Sequence, residues 1–233
     1  MQPVVEISGI ERSSEDIAFR GNYFADGLYA RTDIVRGVTR NRLGTRLCAL
    51  SADFLRGLRR AIEDECGPAA DVVFRTCGRK WGMLLARRFE KELADFYGQP
   101  LREFTVATFL ACLTEMFSQH GWGQLRLDLS YYDQGLLVAE LRGAIMADLF
   151  PGSDRPVDTL FAGIFAGFFS QLSGEDLDCV QTECTACGAD ASRFVIGLSQ
   201  RLTQVETWRA NGQSHAQIVA ALANVRGGKE TSP

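Results

Sequence analysis

Only two histidines, His120 and His215, stand in a chain of 233 residues, and no Gly-x-Ser-x-Gly turn accompanies them. A serine or cysteine nucleophile served by an imidazole base therefore has little to be built from, and no catalytic residue is assigned. A Gly-x-Gly-x-x-Gly turn between a strand and a helix is also missing, which removes the usual mark of a dinucleotide site. The net charge is −4 and the pI about 5.3, so although arginine far outnumbers lysine, the chain lacks the basic footprint of a nucleic-acid binder. The longest apolar stretch, between Asp158 and Glu175, holds 16 uncharged residues. A bilayer span needs about 20, so no transmembrane segment is expected. The opening MQPVVEISGIERSSEDIAFR has neither an apolar run after a basic start nor a small-residue cleavage site, and the expected location is the cytoplasm. Seven cysteines, an odd number without regular spacing, fit reduced thiols better than a disulfide framework.

What the chain does have is a core helix. VDTLFAGIFAGFFSQLSG is apolar nearly all the way round, as suits a helix buried on every side, and Gly174 stops it. Gly163 and Gly167 share one face, where another backbone can approach, while Phe161, Phe165, Phe168 and Phe169 supply bulk elsewhere. Then the period changes to two. Leu177, Cys179 and Gln181 alternate with Asp178, Val180 and Thr182, Gly188-Ala189-Asp190 makes a turn, and Arg193 to Ile196 is β-rich, which together predict an antiparallel hairpin. Cys179, Cys184 and Cys187 cluster there. Cys184-x-x-Cys187 is a metal-ligand spacing, but a lone thiol pair needs two further partners, and small buried thiols are the commoner outcome.

Upstream, residues 1–20 are expected to form an arm, and 21–225 a single domain with a helical tail; 226–233 should be a disordered end. Arg46 to Leu50 reads as a strand, and Ser51 caps a helix that ends at Gly67 and should bury Phe54, Leu55, Leu58 and Ile62 with its arginines outward. Pro68 opens a longer helix closed by Gly98, with an expected inner stripe of Val73, Cys77, Trp81, Leu84 or Leu85, Phe89, Leu93 and Phe96. Gly78 and Gly82 mark a second close-approach face, which would serve either tight helix packing or a flat ligand beside Trp81. Arg79, Lys80, Arg87 and Arg88 would form a solvated basic face or hold an anion. A third helix runs to about Gln119, followed by strands at Leu125 to Leu129 and Leu136 to Leu141, a short helix AIMADLF, and, after the hairpin, helical segments 201–210 and 214–225. The fold class is α+β, an antiparallel sheet with helices packed mainly on one face.

The closing module, a buried glycine-bearing helix, an acidic turn, Thr182-Glu183-Cys184, Gly188 and Arg193-Phe194-Val195-Ile196, resembles the signature of the 4-vinyl reductase domain family. Earlier pieces from Leu47 to Leu58, the Gly67 break, Cys77-Gly78 and Gly82 are consistent with it, so the resemblance covers about residues 44–198. The stretches GNYF, CGRKWG, HGWG and FFSQL are similar to cyanobacterial members linked to photosystem II and phycobilisome assembly. The resemblance implies a fold shared with vesicle-tethering subunits and related to haem nitric oxide sensors, a homodimer, and a pocket for a small hydrophobic molecule. Family members that sense aromatic pollutants hold zinc through a Glu-x-x-Cys pair and a Cys eight residues on. The matching positions here are Gln181, Cys184 and Ser192, two of which are poor ligands, so no zinc is expected. Haem would need His120 or His215, and neither stands out.

The resulting expectation is a non-enzymatic binder of a hydrophobic ring compound, a tetrapyrrole such as a bilin or chlorophyll precursor. It would act with photosynthetic complex subunits at the periphery of their membranes, and its ligand-binding residues would be Trp81, Phe161, Phe165, Phe168, Cys184 and Cys187. A ligand-free interaction scaffold and a reductase accessory subunit are the alternatives.

Overall fold

The computed structural model describes residues 21–224; the arm expected over 1–20 and the end expected over 226–233 lie outside the described residues. After a turn-rich segment, three short strands form a small antiparallel sheet: β1 (Ala30–Asp33), β2 (Val38–Asn41) and β3 (Arg46–Leu47), with β2 in the middle. Of these only β3 is legible in the sequence, and it stops at Leu47 rather than Leu50. The β1–β2 hairpin lacks an apolar alternation because β1 is exposed along its whole length, and Thr32 faces Thr39 across the pair with their hydroxyls 3.0 Å apart.

Helix α1 (Ala52–Cys66) begins as expected, with the Ser51 hydroxyl accepting from the Phe54 amide, and ends at Gly67. Its faces match the expected ones only in part: Leu55 and Ile62 are half-buried, but two of the apolar residues face out and one arginine faces in. Phe54 and Leu58 are 50% and 42% exposed, whereas Arg59 is 2% exposed. The reason lies in what α1 meets. Arg59 lies between the rings of Phe74 and Phe150, bonds the Val157 carbonyl at 2.7 Å, and pairs with Glu63 at 2.8 Å and Asp71 at 3.4 Å. A guanidinium so completely partnered can be buried where a lone charge could not.

Helix α2 (Ala70–Tyr97) is closed by Gly98 in the left-handed conformation, and α3 (Val106–Gln119) is capped by the Thr105 hydroxyl. The main sheet follows: β4 (Gln124–Asp128) and β5 (Leu136–Arg142), the short helix α4 (Ile145–Leu149), the core helix α5 (Thr159–Ser173), then β6 (Leu177–Glu183) and β7 (Ser192–Leu198). All pairings are antiparallel, in the order β4-β5-β7-β6. One face of this sheet, with Leu137, Ala139, Leu141, Cys179, Phe194 and Ile196, packs into the main core beneath α2, α3 and α5. This is the α+β arrangement read from the sequence. The other face, with Leu136, Val138, Val180 and Val195, is covered by three short C-terminal helices, α6 (Ser199–Leu202), α7 (Val205–Ala210) and α8 (His215–Asn224), through Leu202, Val205, Ile218, Val219 and Leu222. The tail is thus a second layer.

Helices α2 and α5 cross backbone to backbone. A Cβ placed on Gly78 would lie 2.2 Å from the Leu160 carbonyl, on Gly82 2.3 Å from that of Ile164, on Gly163 2.2 Å from that of Arg75, and on Gly167 2.0 Å from that of Arg79. The four glycines therefore serve tight packing, and the face that could have flanked a flat ligand beside Trp81 is filled by α5. This also corrects the α2 stripe. Phe74, Gly78, Gly82, Leu85 and Phe89 are buried, while Cys77 is exposed and Trp81 is 38% exposed. A period-3.6 reading that weighs only large apolar residues misses a face made of glycine.

Candidate functional site

Two groups of side chains carry possible chemistry, and neither is a set of neighbours in sequence. The first is an aromatic layer. Trp81 meets Trp122 edge to face at 5.1 Å, Trp122 meets Phe117 at 5.1 Å, Phe117 stacks on Phe165 at 5.5 Å, and Phe165 meets Phe194 at 5.1 Å. Phe161 lies 6.3 Å from both Phe117 and Trp122. Of the expected ligand-binding residues, the fold brings Trp81, Phe161 and Phe165 into this one chain of rings. Phe168 lies further along α5 against Phe89 and Phe169. All three phenylalanines are core, at 2% exposure or less.

At one end of the layer the surroundings become polar. His120 stacks on Trp122 at 4.5 Å and approaches Tyr29 at 5.5 Å. Its Nδ1 is 2.7 Å from the Met116 carbonyl, which assigns the proton to Nδ1 and leaves Nε2 as an acceptor, buried and without a partner. The Tyr23 and Tyr29 hydroxyls are buried nearby and also make no hydrogen bond of ordinary geometry. Burial raises the pKa of both, helped for Tyr23 by the Glu92 carboxylate. Glu92 itself is 4% exposed and accepts from the Asn41 amide and the Thr45 hydroxyl, both at 2.6 Å. The segment carrying the tyrosines is laced down by the Tyr97 hydroxyl, which accepts from the Tyr23 amide at 3.1 Å and donates to the Gly21 carbonyl at 3.0 Å. Arg42 lies 4.3 Å over the Phe96 ring. Sequence reasoning passed over Tyr23, Tyr29, Asn41 and Glu92, because nothing in the chain's order announces that β2, α2 and the 21–29 turns meet at the end of α3.

Desolvation holds the pKa of His120 below its ordinary value, and that of His215 likewise. Both imidazoles are therefore neutral in the fold and take up protons on unfolding. The unfolded state binds more protons below about pH 6.5, so stability present at neutral pH is lost as pH falls through that value. For His120 the slope reaches at most about 1.4 kcal/mol per pH unit. Urea midpoints measured at pH 7 and pH 5.5 should fall on acidification, and His120→Phe should flatten the dependence in part, His215 supplying the remainder. Equal acid sensitivity in wild type and His120→Phe would refute the assignment.

The second group surrounds Asp158, the residue before α5, which is fully buried. On the core face of the sheet Gln181 and Ser192 approach it, from β6 and β7. The Gln181 Nε2 donates to Asp158 Oδ2 at 2.8 Å, the Ser192 hydroxyl at 2.6 Å and the Cys184 thiol at 3.7 Å. A β-bulge lies between Gln181 and Glu183 at the strand end, and Gln181 and Thr182 are both buried because the sheet is covered on both faces, Thr182 meeting His215 on the other side. Burial raises the Asp158 pKa, and the three donors offset part of the rise. These are the positions at which the resemblance implies zinc, and they do not suit it. They offer one thiol, and the groups from Gln181 and Ser192 present hydrogens, not lone pairs, toward the centre. Among the described residues no group of three or more His, Cys, Asp or Glu is placed to hold a metal. Cys187 is largely exposed on the turn after Cys184, and partial desolvation together with the neighbouring Cys184 thiol pushes its thiol up to about 11. The basic face expected on α2 is partly occupied: Arg79 bonds the Leu177 carbonyl at 2.7 Å and pairs with Asp176, and Arg87 donates to Gln171.

Residues 137–198 match the model of the V4R domain. That segment runs from β5 through α5 to β7 and contains the whole Asp158 cluster, whereas the polar niche at His120 lies before it. The fold as a whole is similar to the phenol-responsive sensory domain of the transcription activator PoxR, solved with phenol, at 17% identity and a TM-score of 0.63 over 87% of this chain and 99% of that one. A vinyl-4-reductase family protein from Methanocaldococcus jannaschii matches 64% of this chain and 82% of its own at 15% identity and a TM-score of 0.45. A trafficking protein particle complex subunit 3 from Naegleria fowleri, covalently bound to palmitic acid, matches 64% of this chain and 95% of its own at 15% identity and 0.48. No curated protein sequence matches the chain. No helix among the described residues is long and apolar enough to cross a membrane.

Proposed function

We propose that this chain is a non-enzymatic binding module for a small hydrophobic ring compound, in the manner of a sensory domain. The observation that carries the reading is the buried polar group at the end of the aromatic layer. There His120 Nε2 has no hydrogen-bond partner, and the Tyr23 and Tyr29 hydroxyls, beside Glu92 and Asn41, make no hydrogen bond of ordinary geometry; Trp122 packs on His120, and Phe24 lies between Tyr29 and Phe89. Buried polar atoms without partners are rare and call for an explanation, and a ring bearing a hydroxyl would satisfy them while stacking on these rings. The likeness to a phenol-responsive domain over most of both chains supports the same reading. A tetrapyrrole, as in pigment assembly, is the larger version of this proposal, and it requires the rings now in contact to part much further.

The test is a panel of phenol, benzoate, indole, biliverdin and protoporphyrin, read by thermal shift and calorimetry. A single-ring hydroxylated compound should raise the melting temperature and bind saturably, and Trp122→Ala should abolish binding while circular dichroism is retained. Failure of every compound would defeat the proposal, and biliverdin or protoporphyrin binding alone would favour the tetrapyrrole version.

The module is further proposed to pair with a second copy. Every large hydrophobic side chain left well exposed among the described residues lies between Leu28 and Leu84, including Phe54, Leu58, Val72 and Leu84. Exposed apolar side chains concentrated in about a quarter of a chain, on α1, α2 and the small sheet, are what an interface between copies would use. Light scattering should give a dimer mass, and Phe54→Asp with Leu58→Asp a monomer. A monomeric wild type at all concentrations would rule this out.

A further inference from the structure

We infer that the Asp158 cluster is a metal-free knot in which the polarity of a metal site is reversed: a buried acceptor oxygen at the centre is held by neutral donors, and it ties four segments of the V4R region together. In a metal site a positive ion gathers anionic and lone-pair ligands. Here the Asp158 carboxyl group occupies the centre, and an amide N–H, a hydroxyl and a thiol all point at its Oδ2. The same side chains continue outward. Gln181 Oε1 accepts from the Asp158 amide at 3.1 Å, Gln181 Nε2 also reaches the Glu183 carbonyl at 3.1 Å, and the Ser192 hydroxyl accepts from the Thr185 amide at 3.3 Å. The start of α5, the bulged end of β6, the turn after Cys184 and the first residue of β7 are thereby fixed to one oxygen. Asp158 and Ser192 are fully buried, Cys184 is 2% and Gln181 5% exposed, so water cannot substitute for any of these bonds. Each donor is buried at no net loss only while Asp158 is present.

A swap of single residues cannot convert one polarity into the other, but a pair can. Gln181→Glu with Ser192→Cys would leave Asp158, a glutamate and two thiols around one point, a donor set that suits zinc. The experiment uses the full chain expressed with added zinc, with elemental analysis and melting curves with and without EDTA. Wild type should hold less than about 0.1 zinc per chain and melt identically in EDTA. Asp158→Ala should melt about 5–10 °C lower, and Ser192→Ala about 2–4 °C lower. The double variant should hold about one zinc per chain, with a melting temperature that EDTA lowers. About one zinc in the wild type, lost on Cys184→Ser, would overturn the inference, as would Asp158→Ala melting with the wild type. If Asp158→Ala yields no folded protein, an unchanged melt for Ser192→Ala overturns it instead. A double variant that takes up no zinc would show that the side chains do not converge, and it too counts against the knot.

Discussion

Gly167→Ala should lower the stability of this protein by at least about 3 kcal/mol, a melting temperature drop of about 6–12 °C. The added methyl would sit 2.0 Å from the Arg79 carbonyl, and its neighbours are backbone atoms that cannot rotate away. The only response open to the fold is to part α2 from α5, which loosens contacts along both helices. Gly163→Ala should behave alike, its Cβ meeting the Arg75 carbonyl at 2.2 Å. Gly57→Ala is the control. It lies in α1 with nothing within 4 Å of the added carbon, so the same chemical change should stabilise by about 0.5–1 kcal/mol through helix propensity alone. Urea denaturation of the three variants checks the set, and a Gly167→Ala midpoint at or above that of wild type would mean the helices do not cross at these glycines.

Arg59→Ala should cost about 3 kcal/mol or more. The guanidinium is buried between two rings, and its loss empties that space, frees the Val157 carbonyl and leaves Glu63 and Asp71 without their shared cation. Both carboxylates keep some contact with solvent and with Arg155, which keeps the figure at the lower end for a broken buried pair. Arg59→Lys restores the charge but not the fork that reaches three acceptors at once, so it should recover only part of the loss. Denaturant midpoints falling in the order wild type, Lys, Ala would bear this out. An Arg59→Ala variant as stable as wild type would contradict the burial.

These two sites also show what could and could not be read from the chain. The close-approach role of Gly78, Gly82, Gly163 and Gly167 was legible because glycine four apart on a helix has few other uses. The core helix, the Ser51 cap, the Gly98 and Gly174 stops and the hairpin ending at Ile196 were legible from period and turn chemistry. Arg59 was not, since an arginine on an amphipathic pattern reads as solvent-facing, and only the tertiary meeting of Phe74, Phe150 and Val157 makes it core. The Phe54 and Leu58 face misled for the complementary reason: an apolar stripe says that something covers it, but not that the cover belongs to the same chain. At the candidate sites Gln181, Cys184 and Ser192 could be aligned as positions, yet Asp158, 23 residues earlier, carried no local mark of being their common acceptor. The polar niche draws on Tyr23, Tyr29, Asn41, Glu92 and His120, five residues spread over four segments, and no spacing rule joins them.

The glycine crossing has a mechanical consequence. Helices locked carbonyl against Cα cannot slide or separate by small steps, so α2 and α5 behave as one stiff beam bearing on the sheet. The opposite wall, the 21–29 turns and the small β1–β3 sheet, is the lighter part: it is joined to the beam by side-chain bonds, from Tyr97 to the Tyr23 amide and the Gly21 carbonyl and from Asn41 and Thr45 to Glu92, and by Phe24 stacked on Phe89, not by interlocked backbones. A guest wedged between the two would displace the lighter part. Ile34 and Val35, both well exposed, lie in the β1–β2 turn of that part, so any shift of it would be carried to exposed apolar side chains.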